Sequence, residues 1–322
     1  MSMKIGTKNA QRGCEARCAL DGMSREKWLE ARREGLGGSD AAVILGLSPF
    51  KSELSLWMDK RGELPEREPS ESMRLGNELE DYVARRWMEA TGKKVRRRGY
   101  IFGNRGYPFA LANVDREVIG ENAALECKTT SSFTQYDFEN GEIPPYYYCQ
   151  CVHYMAVCGY DRMYLAVLVL GRGFYHFRIE RDEEEIAALM ETERIWWQRH
   201  MIEGEMPDPD GSDSAGDALR QLFPRSDERK TCLLYGAEGK LAQIGQLDKS
   251  IKEMEQEKKA LQQEIQMQMG EAEKGSADGF SVTWKLQVSR RVDTGKLKEM
   301  YPDVYARVTR DSSSRVFRVR KV

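Results

Sequence analysis

The stretch that most restricts how this chain folds runs from Asp115 to Lys128. It reads as two strands around a Gly120-Glu121-Asn122 turn, with the second strand at Ala123–Thr129. Side chains alternate along a strand, so Glu126 and Lys128 share one face while Leu125 and Cys127 share the other. Hairpin pairing brings Asp115 to the same end of that face. Two carboxylates and one ammonium then converge in a small space.

Such a trio has a chemical use. Carboxylate oxygens suit a hard divalent cation such as magnesium, which takes few protein ligands and keeps several waters. The cation lowers the pKa of a bound water and offsets charge building on a phosphate. A lysine two residues on orients that water or neutralises the transition state. This is the logic of phosphodiester hydrolysis. Taken alone, the same residues also fit a surface hairpin with an exposed Glu and Lys, so the flanking segments decide.

Upstream, Ser24 is placed to cap a helix through Arg33, with Trp28 and Leu29 turned towards the core. Gly35-Leu-Gly-Gly-Ser39-Asp40 then breaks that helix, and Ser39 is placed to cap the next. A Gly-rich turn feeding a helix start presents unpaired N–H groups to a phosphate, and Arg32 adds a charged fork. An ordinary capped helical turn is the competing reading. A long helix follows at about Glu71–Ala90, its apolar face carrying Met73, Leu79, Val83 and Trp87. Glu80 on that helix either faces inward as a metal ligand or is a surface acid.

Strands are expected at about Lys94–Phe102, Pro108–Asp115, Ala123–Thr130, Arg162–Leu170 and Phe174–Glu180. A helix at about Pro145–Cys158 separates the third from the fourth and sets Gln150 and Tyr154 on one face. Another helix, capped by Asp182, runs to Met201. The plan is α/β, a small mixed sheet flanked by helices. The expected divisions are a loose lead at 1–23, the α/β domain at 24–205, a linker at 206–230, and a coiled-coil helix with a small basic α+β tail at 231–322. Ile244, Leu247, Ile251, Met254, Leu261 and Ile265 fit an a/d heptad, which serves either self-association or packing within one chain.

The 322 residues are 40% hydrophobic and 32% charged, enough for a core. No apolar run reaches the roughly 18 residues of a membrane span, and the first ten residues show no apolar signal core, so the expectation is cytoplasmic. The net charge of −2 carries no global basic bias. Locally, eight basic residues stand against one acid between Arg85 and Arg105, and eleven against four between Phe280 and Val322. Two basic patches suit a protein that meets phosphate on one face. Each taken alone also fits a solvated charge run. The cysteines number seven, an odd count that argues against a disulfide framework, and Cys149-x-Cys151 with Cys158 lacks a tight pair for an iron–sulfur cluster.

The assembled segments resemble the YqaJ-type viral recombinase family, a group that includes the phage lambda exonuclease and belongs to the RecB-like branch of the PD-(D/E)xK nucleases. Trp28-x-x-x-Arg32 with Gly37-Gly38-Ser39-Asp40 is similar to the segment that holds a DNA 5′-phosphate. Met73-Arg-Leu-Gly76-Asn-Glu-Leu-Glu80 is similar to the helix that supplies one metal-binding Glu. Asp115 with Glu126-Cys127-Lys128 is similar to the catalytic core, and Gln150-x-x-x-Tyr154 to the motif that touches DNA beside it. Val114 stands where the motif's name has proline.

The resemblance implies a restriction-endonuclease-like fold over about Trp28–Met201. It implies that Asp115 and Glu126, with the Cys127 carbonyl and Glu80, hold magnesium or manganese, as two ions that clamp the attacking and leaving oxygens. Lys128 would position the attacking hydroxide, with Gln150 in the catalytic set. Arg32, Ser39 and Tyr154 would hold the DNA. It further implies a double-stranded DNA substrate with a 5′-phosphate end, digested to a 3′ single strand for a RecT-like annealing protein, in a phage or prophage setting. The other readings are an endonuclease or helicase-associated nuclease of the same branch, and a non-catalytic coiled-coil scaffold that binds DNA.

Overall fold

A computed structural model describes residues 9–320 apart from 11, 66, 67, 69, 134, 135, 312 and 313. The chain forms two compact units, residues 1–222 and 223–322. Parts of the expected loose lead and of the expected basic tail therefore lie outside the described residues.

The first unit is built on a five-stranded mixed sheet. Its strands are β2 (Val95–Arg96), β5 (Arg116–Val118), β6 (Ala123–Thr130), β7 (Arg162–Val169) and β8 (Gly173–Glu180), hydrogen-bonded in the order β2-β5-β6-β7-β8. Only β6 and β7 run parallel. A parallel pair needs a crossover, and helix α5 (Pro145–Cys158) makes it. A smaller antiparallel sheet carries β1 (Cys14–Ala19), β3 (Tyr100–Asn104) and β4 (Tyr107–Ala112). The expected strand at Lys94–Phe102 is thus two strands, β2 and β3, in different sheets. Positive-φ Gly99, just before β3, lies in the segment between them.

Residues 14–19, expected within a loose lead, pair with β3 instead. Their sequence, Cys-Glu-Ala-Arg-Cys-Ala, alternates Cys14, Ala16 and Cys18 with Glu15 and Arg17, a short strand signal that the reading as a loose lead missed. Residues 213–222, expected within a linker, form helix α7 (Asp213–Leu222), which buries Ala215 and Ala218.

Helices α1 (Arg25–Arg33), α2 (Gly38–Ile44), α3 (Glu53–Lys60), α4 (Glu71–Thr91) and α6 (Glu183–Trp196) complete the unit. Ser24, Ser70 and Asp182 cap α1, α4 and α6, and α4 ends at left-handed Gly92. The alternation of β6 divides two cores. Ala123, Leu125 and Cys127 pack with Val83, Ala84 and Trp87 of α4, while Ala124 joins the larger core around α5. On α4, Val83 and Trp87 are fully buried as the periodicity requires, but Met73 is 58% exposed near the helix start.

In the second unit, α8 (Glu238–Met269) is 32 residues long and buries none of them. Leu247, Ile251, Met254, Leu261 and Ile265 of its heptad face are exposed. Strands β9 (Lys274–Ala277) and β10 (Phe280–Thr283) form a hairpin whose Asp278-Gly279 turn uses a positive-φ glycine. Helices α9 (Thr294–Met300) and α10 (Pro302–Val308) pack on each other. In the expected α+β tail, residues 315–320 carry no regular structure.

Candidate active site

A cavity of about 300 Å³ opens where α1, α2, α4, α5, β4 and β6 approach one another. Trp28, Arg32, Ser39, Asp115, Glu126, Lys128, Gln150 and Tyr154 all line it. Chain segments more than a hundred residues apart in sequence therefore meet at one place.

Glu126 is the centre of the polar set. It is 3% exposed, and its Oε1 accepts from Gln150 Nε2 at 2.7 Å and lies 2.7 Å from the Lys128 ammonium. The same Gln150 amide donates to the Tyr154 hydroxyl at 3.0 Å. Asp115, at the entrance to β5, accepts from the Cys127 backbone N–H at 2.8 Å, which ties it across the hairpin to the strand that carries Glu126.

The charges are strongly coupled. Burial raises the Asp115 pKa well above its usual value, and the Glu126 carboxylate raises it further, against the pull of Lys128. Burial alone would lower Lys128, but Glu126 and Asp115 outweigh it and hold the ammonium above its ordinary range. Burial pushes the Cys127 thiol up, so it stays neutral.

Two observations fit a hard divalent cation at this place. The donor set pairs two oxygen carboxylates that repel each other. Glu126 Oε2 is buried and has no hydrogen-bond partner in the protein, and an orphaned carboxylate oxygen is costly unless a ligand satisfies it. Among the described residues, no three Asp, Glu, His or Cys side chains gather as a ready metal cage. Glu80 lies close enough to raise Asp115, but Arg116 takes its Oε1 as a short ion pair, with Arg97 at 3.6 Å. Arg116 also bonds Asp81 at 2.5 Å and the Asp115 carbonyl at 2.6 Å.

On the other rim, Arg32 Nη2 donates to Ser39 Oγ at 3.4 Å, and the guanidinium lies 4.8 Å from the centre of the Trp28 ring. Trp28 thus lines the cavity rather than the core. Ser39 does not cap α2. Gly37 stands at the cap position, and the Asp40 carboxylate accepts from the Gly37 N–H at 2.8 Å, leaving the Ser39 hydroxyl exposed to Arg32. Gly38 permits the packing beneath. A Cβ there would sit 2.6 Å from Tyr154 Cε1 and 2.9 Å from Gln150 Cγ. At Gly76, by contrast, a Cβ would meet nothing within 4 Å.

Lys60, Arg116, Asn77 and Asn113 are the participants that sequence reasoning missed. Lys60 donates to the Arg32 and Gly35 carbonyls at 2.9 and 2.7 Å and pairs with Asp40 at 2.6 Å. No local pattern marks it. Arg116 follows Asp115 directly, and its adjacency was the one available signal. The basic run is largely neutralised, since Lys93, Arg96, Arg97 and Arg98 all pair with acids.

Fold and site together define a mixed-sheet α/β protein with two facing carboxylates and a lysine in one cavity. The chain belongs to the YqaJ family: the YqaJ-like viral recombinase domain matches residues 27–161. YqaJ of Bacillus subtilis (strain 168) is 40% identical over 304 residues, covering 93% of this chain and 95% of that protein. Among solved structures, the alkaline exonuclease LHK-Exo from Laribacter hongkongensis is 21% identical with a TM-score of 0.45, covering 55% of this chain and 93% of that one. A phage related exonuclease from Haemophilus somnus 129PT is 13% identical with a TM-score of 0.41, covering 53% and 96%. No helix among the described residues is long and apolar enough to cross a membrane.

Proposed function

We propose that this chain is a magnesium-dependent DNA exonuclease that digests one strand of linear duplex DNA from a 5′-phosphorylated end. The 3′ single strand it leaves would pass to a RecT-like annealing protein. The observation that carries the reading is the meeting of Asp115, Glu126 and Lys128 with Arg32 and Ser39 in one cavity.

Asp115 and Glu126 would hold the cation, with the Cys127 carbonyl and Glu80 as further oxygen ligands. When bound, magnesium would supply an activated water and charge stabilisation on the phosphate. Gln150 fixes the Glu126 carboxylate by donating to Oε1, which leaves Oε2 for the ion. Lys128 stays an ammonium at neutral pH, so it acts as donor and positive charge rather than as a base. It orients the attacking oxygen and offsets charge on the phosphate as the leaving oxygen departs. Arg32 and Ser39 face a terminal phosphate as a guanidinium and a hydroxyl.

The test is degradation of linear duplex DNA beside a covalently closed circle, in magnesium. Loss of the linear DNA with the circle intact supports an exonuclease. Nicking of the circle would move the reading to an endonuclease, and no degradation of either would overturn it.

A further inference from the structure

Past Lys128, the strand and its neighbours run into a second pocket of about 550 Å³, lined by Leu47, Ser48, Ser131, Phe133, Tyr136 and Tyr146 among others. Phe133 is 95% exposed and Phe50, at its edge, 75%. Large apolar rings left in water call for an explanation when they cluster. These rings form a connected series. The Lys128 ammonium lies 5.3 Å from the Tyr147 ring centre, Tyr147 is 4.6 Å from Tyr146, and Tyr146 is edge-on to Phe50 at 5.7 Å and to Tyr136 at 6.0 Å. The series starts at the candidate nuclease site and ends in the open pocket.

The placement is continuous on two elements. Thr130, also in the lining, follows Lys128 by two residues and lies on the same strand face, roughly 7 Å further on. Helix α2 carries Ser39 at its start and runs into Gly46–Pro49, which form the pocket wall. The Arg32–Ser39 rim and the aromatic pocket thus sit at opposite ends of α2. No lining residue carries a carboxylate, while Ser48, Thr130 and Ser131 offer hydroxyls.

We propose that this pocket binds the unpaired bases of a DNA single strand, by stacking on Phe133, Phe50 and Tyr146 beside the nuclease site. The inference rests on the nuclease reading for its choice of partner. Every base has a π-face, so such a platform takes single strands without sequence preference, and hydroxyls without acids admit the phosphates between bases. It gives the unpaired strand a place to be held while its complement is cut.

The test is a metal-free titration of the full-length protein with a labelled oligothymidylate of about a dozen nucleotides, followed by fluorescence anisotropy in chelator. The comparison ligand is an abasic oligomer of the same length, which keeps the phosphates and removes the rings. The wild type should bind the thymidylate about tenfold more tightly than the abasic strand, and Phe133→Ala with Phe50→Ala should remove that preference. Phe133→Trp should restore it, which a general surface effect would not. Equal binding of both oligomers by the wild type would overturn the proposal. So would full retention of the preference in the double variant, the result expected if the rings instead receive a protein partner. The titration needs no metal and no cleavage, so an inactive enzyme would sink the nuclease reading without deciding this one.

Discussion

The Lys60 ammonium lies 2.6 Å from the Asp40 carboxylate, with both side chains almost wholly excluded from solvent. Burial lowers Lys60, yet Lys60, Lys51 and Arg32 hold Asp40 well below the usual carboxylate range. All three ammonium protons are used, on Asp40 and on the carbonyls of Arg32 and Gly35. The loop between Arg32 and Ser39 is therefore fixed from beneath by a residue that never reaches the cavity.

Replacing Lys60 by Met should strand a buried carboxylate and two carbonyls. The expected cost is about 3–5 kcal/mol, read as a lowered midpoint in chemical denaturation. Adding Asp40→Leu should recover part of it, because the remaining buried charge is then gone. A single variant as stable as the wild type would contradict this role.

Asp115 gives the site a pH dependence. Its folded pKa is raised, so the metal-free fold binds that proton more tightly than the unfolded chain does. The stabilising contribution is full below the ordinary carboxylate pKa of about 3.9 and is lost as pH rises through the raised value. Magnesium held by this carboxylate would displace the same proton, so its affinity should rise with pH across that window, by up to tenfold per unit. Calorimetry in buffers of different ionisation enthalpy reads the released proton directly. Asp115→Asn should abolish both effects.

Gly38 is a packing requirement rather than a flexible joint. Gly38→Ala places a methyl 2.6 Å from Tyr154 and forces that ring or α2 to shift. A loss of about 1–3 kcal/mol is expected, with Gln150 drawn off Glu126. Thermal unfolding measures the first, and a raised magnesium dissociation constant the second.

Arg116 holds the Glu80 carboxylate in an ion pair. With Arg116→Gln, the Glu80 carboxylate is released and a positive charge beside Asp115 is removed. Magnesium should bind more tightly than to the wild type, although the fold loses a buried ionic anchor. Unchanged affinity by calorimetry would remove Glu80 from the ligand set.

Much of this geometry was legible because it is local. The two-residue alternation of β6 put Glu126 and Lys128 on one face, and α5 set Gln150 one turn from Tyr154, where they bond. What was not legible depends on partners distant in sequence. Ser39 is a competent cap, but Gly37 holds the position, and the Asp40 carboxylate that accepts from its N–H is paired with distant Lys60. Strand β1 does alternate, Cys14, Ala16 and Cys18 against Glu15 and Arg17, but the signal is short and built of small residues, and its partner β3 lies more than 80 residues away. Helix α7 lay hidden in a run of Asp, Ser and Gly, since two buried alanines anchor it. Glu80 shows the same limit: its spacing on α4 places it near the site, but Arg116 determines where its carboxylate points.

The most direct test of the central claim uses linear duplexes that differ only in a 5′-phosphate or a 5′-hydroxyl at one labelled end. Initial rates of nucleotide release in magnesium are compared for the wild type and Lys128→Ala. Release should begin at the phosphorylated end, be slower from the hydroxyl end, and fall about a hundredfold or more without the Lys128 ammonium. Equal rates from both ends would contradict a phosphate-reading role for Arg32 and Ser39, and an unimpaired Lys128→Ala variant would contradict the site itself.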